Sequence, residues 1–225
     1  MIKLLNKFLG MDRRIIFIIV GAAVVVPFIV PLGLGVTESP PVERVYDFIE
    51  EGAKEDPKKP VLLSVDYDPS TQPELSPMAE AILIHCFRLD IPVIITCLHP
   101  GGPGLALEVS NNAAEMMGAE YGEDYIFLGY SVGGQIVMLS MGENIRQVFP
   151  ADYYGTPVDE YPIMKGVENY DDIHLVVCLS GSTYPEIWVA FAHERYGANV
   201  AAGVTAVMAA DYYPFLQTGQ MVGLL

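Results

Sequence analysis

Four short segments carry most of the residues able to do chemistry: Asp66-Tyr-Asp68, His99-Pro-Gly-Gly-Pro-Gly104, Gly129-Tyr-Ser-Val-Gly-Gly134 and Ser180-Gly-Ser-Thr183. Each combines small residues, which let a backbone approach a ligand closely, with a carboxylate, imidazole or hydroxyl that could donate or accept a hydrogen bond. The candidate ligand-binding residues are Asp66, Asp68, His99, Gly101, Gly102, Gly104, Ser180, Ser182 and Thr183. The same residue types also build ordinary tight turns between strands and helices. Asp66 and Asp68 alternate faces if they lie on a strand, which disfavours a shared cation. Cys86, Cys97 and Cys178 sit in the apolar contexts LIHCF, IITCL and LVVCL, without metal-ligand spacing. No motif implies a metal or another cofactor.

The segment around Ser131 resembles the G-x-S-x-G nucleophile elbow of the α/β-hydrolase family, where glycines permit the sharp turn that exposes a serine hydroxyl. His99-Pro-Gly-Gly-Pro-Gly104 is similar to that family's oxyanion loop, whose backbone N–H groups stabilise a developing negative charge. The resemblance implies Ser131 as nucleophile, His193 or His174 as base, and Asp171 or Asp172 as the acid preceding His193. It covers two loops of the chain. A second stretch, Leu179-Ser-Gly-Ser-Thr-Tyr-Pro-Glu186, looks like the phosphate-binding loop of sugar-phosphate isomerase-type domains. That loop holds no Lys or Arg. Ser182 or Thr183 would serve equally as the cap of a helix opened by Pro185.

The elements expected to position these loops alternate. Val61–Tyr67, Pro92–Leu98, Tyr125–Gly129, Ile173–Leu179 and Asn199–Thr205 read as strands. Helices are expected over Pro77–Leu89 (with Ser76 as N-cap), Leu105–Met117, Gly133–Arg146 and Pro185–Tyr196. Strands that are apolar on both faces and separated by helices imply a parallel sheet covered on both sides. The fold class is therefore α/β: a Rossmann-like, mostly parallel sheet with helices on both faces, preceded by one transmembrane helix. In such sheets ligands bind outside the carboxyl ends of the strands, where all four segments should fall.

The transmembrane expectation rests on the uncharged run Ile15–Val36, preceded by Lys3, Lys7, Arg13 and Arg14. At about 1.5 Å per helical residue, it is long enough for roughly 30 Å of hydrocarbon. A cleavable export signal is the rival reading, but no small-x-small cleavage site follows. The resulting organisation is a basic amphipathic leader (1–14), a signal-anchor helix (15–36), a Pro-rich charged linker with a short helix (37–59) and a soluble α/β domain (60–225). The basic residues flanking the span place the N-terminus in the cytoplasm and the domain on the extracytoplasmic side. Pro27 should kink or end the helix.

Beyond the run lie 27 acidic and eight basic residues, a net charge of −19. Nucleic-acid binding requires clustered Lys and Arg, so that function class is excluded. The apolar C-terminal stretch Gly219–Leu225 is expected in a subunit contact, and Tyr153, Tyr154, Tyr161, Tyr212 and Tyr213 would suit an interface. The lipid bilayer and a second copy of the chain are the expected partners. The functional expectation is a membrane-anchored α/β domain forming a homo-oligomeric binding or scaffold assembly. Its alternative is a membrane-tethered serine hydrolase or acyltransferase acting through Ser131.

Overall fold

The computed structural model describes residues 12–30 and 38–225, and the chain divides into two compact units between Glu38 and Ser39. In the first, helix α1 (Arg13–Ile29) is capped by Asp12, whose carboxylate accepts the Arg14 N–H at 3.0 Å. Pro27 lies inside this helix, two residues before its end. Its Phe17, Ile18 and Ile29 side chains are exposed. Seventeen residues rise about 25 Å, and among the described residues no helix is long and apolar enough to cross a membrane. The expected leader, apart from its last residues, and the end of the expected span (31–36) lie outside the described residues.

The second unit is built on five parallel strands: β1 (Val61–Val65), β2 (Val93–Cys97), β3 (Tyr125–Tyr130), β4 (Leu175–Ser180) and β5 (Val200–Val204). Their order is β3-β2-β1-β4-β5. Val61 is the register partner of both Val93 and Leu175, so β1 forms the centre. Alternate residues face opposite sides. Leu62, Ile94, Ile126, Val176 and Val200 enter one core cluster, and Leu63, Ile95, Phe127, Val177 and Ala201 enter the other.

Helices α2 (Pro40–Gly52), α3 (Gln72–Arg88) and α4 (Pro103–Met117) cover the second cluster. On the first lie α5 (Gln135–Val148), α6 (Tyr184–Trp188), the π-helical turn Val189–His193, α7 (Glu194–Tyr196) and α8 (Ala209–Gln217). This is the expected α/β, Rossmann-like architecture. Burying both faces explains why the strands read as nearly continuous apolar runs.

Several elements differ in detail. Val45 and Ile49 of α2 are fully buried, so the short helix expected within a linker is part of the domain's core. Helix α3 begins five residues before Pro77, with Pro73 in its first turn. Ser76 is therefore not its N-cap, and its Oγ lies 2.9 Å from the hydroxyl of buried Tyr67. Helix α5 is broken at Asn144, whose backbone is extended (φ −161°, ψ 110°). Helix α8 was not anticipated.

The apolar C-terminus, expected in a subunit contact, instead packs on its own sheet. Val222 N–H donates to Val200 O at 2.8 Å and Leu225 N–H to Ala202 O at 2.8 Å, extending the ladder beyond β5. Leu224 is buried, because the exposed row of β5 carbonyls is a ready template for another strand. The opposite edge is covered too. Tyr153 N–H donates to Phe127 O, and Asp152 holds that covering loop by accepting the Tyr121 and Tyr161 hydroxyls, both at 2.8 Å.

Candidate functional site

The chain runs from β1 through β2 to β3 on one side and returns to β4 on the other, so the order in which the parallel strands are added reverses between β1 and β4. In open α/β sheets this switch point, outside the carboxyl ends of the two strands, is where a ligand crevice is expected. All four sequence segments lie along this edge, since those at Asp66 and His99 follow β1 and β2 and those at Gly129 and Ser180 begin at the last residues of β3 and β4.

Asp66 follows β1 and is almost wholly buried. Its Oδ1 accepts the Leu98 N–H at 2.6 Å; its Oδ2 accepts Ser64 Oγ at 2.6 Å, Trp188 Nε1 at 3.4 Å and Cys178 Sγ at 3.6 Å. Ser180 Oγ donates to the Asp66 carbonyl at 2.9 Å and accepts the Ser182 N–H at 3.1 Å. One carboxylate therefore ties together β1, the loop after β2, β4 and α6. Burial drives the Asp66 carboxyl above its ordinary range, against the opposing pull of those four donors. Beside Ser64 on β2, the fully buried Thr96 has a hydroxyl with no protein partner.

Above this buried group the loops at the switch point carry groups that reach solvent. Asp68 is half-buried and closes its own turn by accepting both the backbone N–H and the hydroxyl of Ser70. Those bonds, with a smaller contribution from nearby His99, hold its carboxyl below the usual range. His99 packs edge-on to Tyr184, with ring centroids 6.2 Å apart. The Tyr184 hydroxyl donates to Leu98 O at 2.8 Å, and burial followed by the charge of Asp66 pushes its pKa up to about 12. Tyr184 thus bridges the loop after β4 to the loop after β2.

The glycines divide by need. A Cβ on Gly102 would collide with Cys97 Sγ and come within 2.5 Å of Val65 O, so the loop after β2 closes on β1 only with glycine there. A Cβ on Gly101 would stand 3.0 Å from Asp68 Cβ and 3.3 Å from the His99 ring. Gly104, inside α4, meets no such constraint. Ser182 shares its hydroxyl with Ser180 at 3.0 Å, and Thr183 is the N-cap residue of α6 without a side-chain capping bond.

The residues implied by the hydrolase resemblance are not brought together. Ser131 lies at the carboxyl edge, where its N–H donates to Cys97 O at 3.1 Å. His193 ends the π-helical turn and its Nδ1 lies 2.9 Å from Ala198 O, just before β5 begins, so it is at the amino edge. Asp171 also lies at the amino edge, in the turn preceding β4, with its carbonyl accepting Lys59 Nζ at 2.9 Å. The height of the five-residue strands, about 16 Å, therefore separates both from Ser131. His174 and Asp172 precede β4 as well, and His174 Nε2 is 2.7 Å from Phe48 O.

The turn at Ser131 also differs from an elbow. Among the described non-glycine residues only Asp90 has a positive φ, whereas Gly129, Gly133 and Gly134 have φ of +91°, +120° and +36°. The unusual backbone falls on the glycines and leaves the serine unstrained. The imidazole nearest in the fold, that of His99, is turned the wrong way for a base. Its Nδ1 accepts the Gly101 N–H at 3.1 Å, which in the neutral ring puts the proton on Nε2 and makes that nitrogen a donor.

The cysteines are free and buried, with burial pushing the thiols of Cys86 and Cys97 up to about 12. They are inert as thiolates near neutral pH. Among the described residues no group of three His, Cys, Asp or Glu side chains is arranged to hold a metal ion.

No protein-family model, curated protein or solved structure matches the chain. The site is defined by its own geometry. Sequence reasoning located its loops but missed Tyr184 and Trp188, the two aromatic residues of α6 that reach back over them. The available signal was their spacing of four from an anchored loop, which sets both on one helical face.

Proposed function

We propose that this chain is a membrane-anchored binding domain that receives a polar ligand at the carboxyl edge of its sheet and self-associates, without using Ser131 as a nucleophile. The observation that carries the binding reading is the switch point between β1 and β4, where buried Asp66 ties the loops together and His99, Ser131, Ser182 and Tyr184 stand at the same edge of the sheet. With Nδ1 occupied, His99 offers Nε2–H to an acceptor, which suits recognition of a carbonyl or hydroxyl oxygen. Hydrolysis would require an oriented base for Ser131, and neither His99 nor His193 is placed to act as one.

Anchoring is supported by the uncharged run Ile15–Val36 behind four basic residues and by the uncovered apolar side chains of α1. Positive charge ahead of the run assigns the N-terminus to the cytoplasmic side. Self-association is supported by Val132, Ile136 and Val207, which are 79%, 71% and 88% exposed in the loops and helix start after β3 and β5. Apolar surface of this kind is gained by burial against a partner, and tethering in one plane raises the local concentration of copies.

The catalytic alternative is tested with a fluorophosphonate probe applied to the folded full-length protein in detergent. The expected result is no labelling at Ser131. Labelling that disappears in Ser131→Ala would overturn the non-catalytic reading.

A further inference from the structure

The domain has a concave site, away from the switch point of its sheet, bounded by α2, α3, α8, the end of β5 and the segment Leu224–Leu225 that pairs with it. Its volume is about 390 Å³, within the range of roughly 300–1,000 Å³ common to small-molecule sites. Met78, Val204, Ala209, Tyr213 and Leu225 supply much of its wall. Gly203 lies beneath; a Cβ there would stand 3.1 Å from Met78 Sδ and 3.6 Å from Leu225 Cβ, so glycine leaves these side chains room.

The wall carries the hydroxyls of Ser39 and Tyr213 and one carboxylate. Among the described residues that line the cavity Glu74 alone has a charged side chain, and its Oε2 accepts the Ala206 N–H at 2.9 Å. Among the described residues no Lys, Arg or His lines it, so an anionic head group finds no countercharge among them. The remaining surface favours hydrocarbon. Ser39, Pro41 and Val42, the first residues of the compact domain, also line the cavity.

We propose that this cavity holds an acyl chain of a bilayer lipid, with the head group left in water. The inference rests on the membrane-anchored reading, because the tether is what supplies the lipid. Ala206 and Ala209 are the small residues that keep the space open.

The test uses the full-length protein in phosphatidylcholine liposomes containing phosphatidylcholine with a diazirine on one acyl chain. Photolysis is followed by peptide mass spectrometry, and flotation of the same sample reports the tether. Labelling is expected in the peptides carrying Met78 and Tyr213, with its loss in Ala209→Phe and in Ala206→Leu and its retention in Val132→Ser. Far-ultraviolet circular dichroism of each variant establishes that it is folded. Protein that floats without labelling these peptides, or whose label persists in both folded filling variants, overturns the cavity assignment while leaving the anchor intact. Protein that fails to float overturns both the anchor and the bilayer as source. A diazirine fatty acid supplied from solution then shows whether the cavity itself takes hydrocarbon: labelling restricts the error to the source, and its absence overturns the site.

Discussion

Replacing Asp66 should separate its two roles as hydrogen-bond acceptor and buried acid. In Asp66→Ala the Leu98 N–H and the Trp188 Nε1–H lose an acceptor that sits 2.6 and 3.4 Å away, and neither can turn to another. Ser64 Oγ can rotate. A stranded buried donor costs about 1–3 kcal/mol, so the two together, offset by removal of a buried acid, should lower stability by about 3 kcal/mol. Asp66→Asn keeps an acceptor for Leu98 and presents an amide to Ser64, which can accept. The two longest bonds, from Trp188 and Cys178, are lost, and the cost should be about 1 kcal/mol.

The pH dependence has a defined sign. The folded carboxyl lies above its ordinary value of 3.8, so the unfolded chain ionises first as pH rises. Asp66 therefore contributes most stability below that value, and the contribution declines until the folded carboxyl itself ionises. Asp66→Asn has no such dependence. Urea unfolding of the full-length protein in detergent, followed by tryptophan fluorescence of its single Trp188 between pH 4 and 8, measures the difference directly. Relative to wild type, the Asn variant should compare better at pH 8 than at pH 4. Equal losses in both variants, or a pH-independent difference between wild type and Asn, would refute the assignment of Asp66 as a buried acid clamping the loops at the switch point.

Other expectations follow from individual contacts. Gly102→Ala should cost about 2 kcal/mol in the same unfolding assay, because the added methyl collides with Cys97 and approaches Val65 O. Asp152→Ala should speed hydrogen exchange at Phe127 and Tyr153 and lower stability by about 2 kcal/mol, since it releases two tyrosine hydroxyls and two backbone N–H groups. Burial raises the Asp152 carboxyl, but those four bonds outweigh it and hold the group below its usual range. Its contribution should be present above pH 4 and fade as pH falls through the depressed folded value, a trend absent from Asp152→Asn. Self-association in detergent, read by sedimentation velocity, should strengthen between low salt and about 0.15 M because screening over roughly 8 Å relieves repulsion between strongly acidic domains. Val132→Ser combined with Val207→Ser should weaken it.

The sheet was legible because burial on both faces leaves a plain mark: Val61–Val65 and Val93–Cys97 contain no charged residue, and helical stretches separate successive strands. Helix boundaries were less legible. Pro77 looked like a first turn, although Pro73 occupies that place, and Pro214 concealed α8 by interrupting its pattern. The loops at the switch point could be located because the carboxyl ends of parallel strands follow directly from strand order in the sequence. Their chemistry could not. Whether His193 can meet Ser131 depends on how far a helix carries the chain back; about 1.5 Å per residue over Tyr184–His193 is enough to return it to the amino edge. The direction of the His99 ring depends on one hydrogen bond from Gly101, which no spacing rule reveals.

The central claim, an acidic binding domain held at a bilayer by its N-terminal run, is tested most directly by alkaline carbonate extraction of membranes from cells producing the full-length chain. The account predicts that the protein remains in the membrane pellet, and that placing Asp at Val20 and Val24 within the run releases it. Release of the unaltered chain into the carbonate supernatant would contradict the claim.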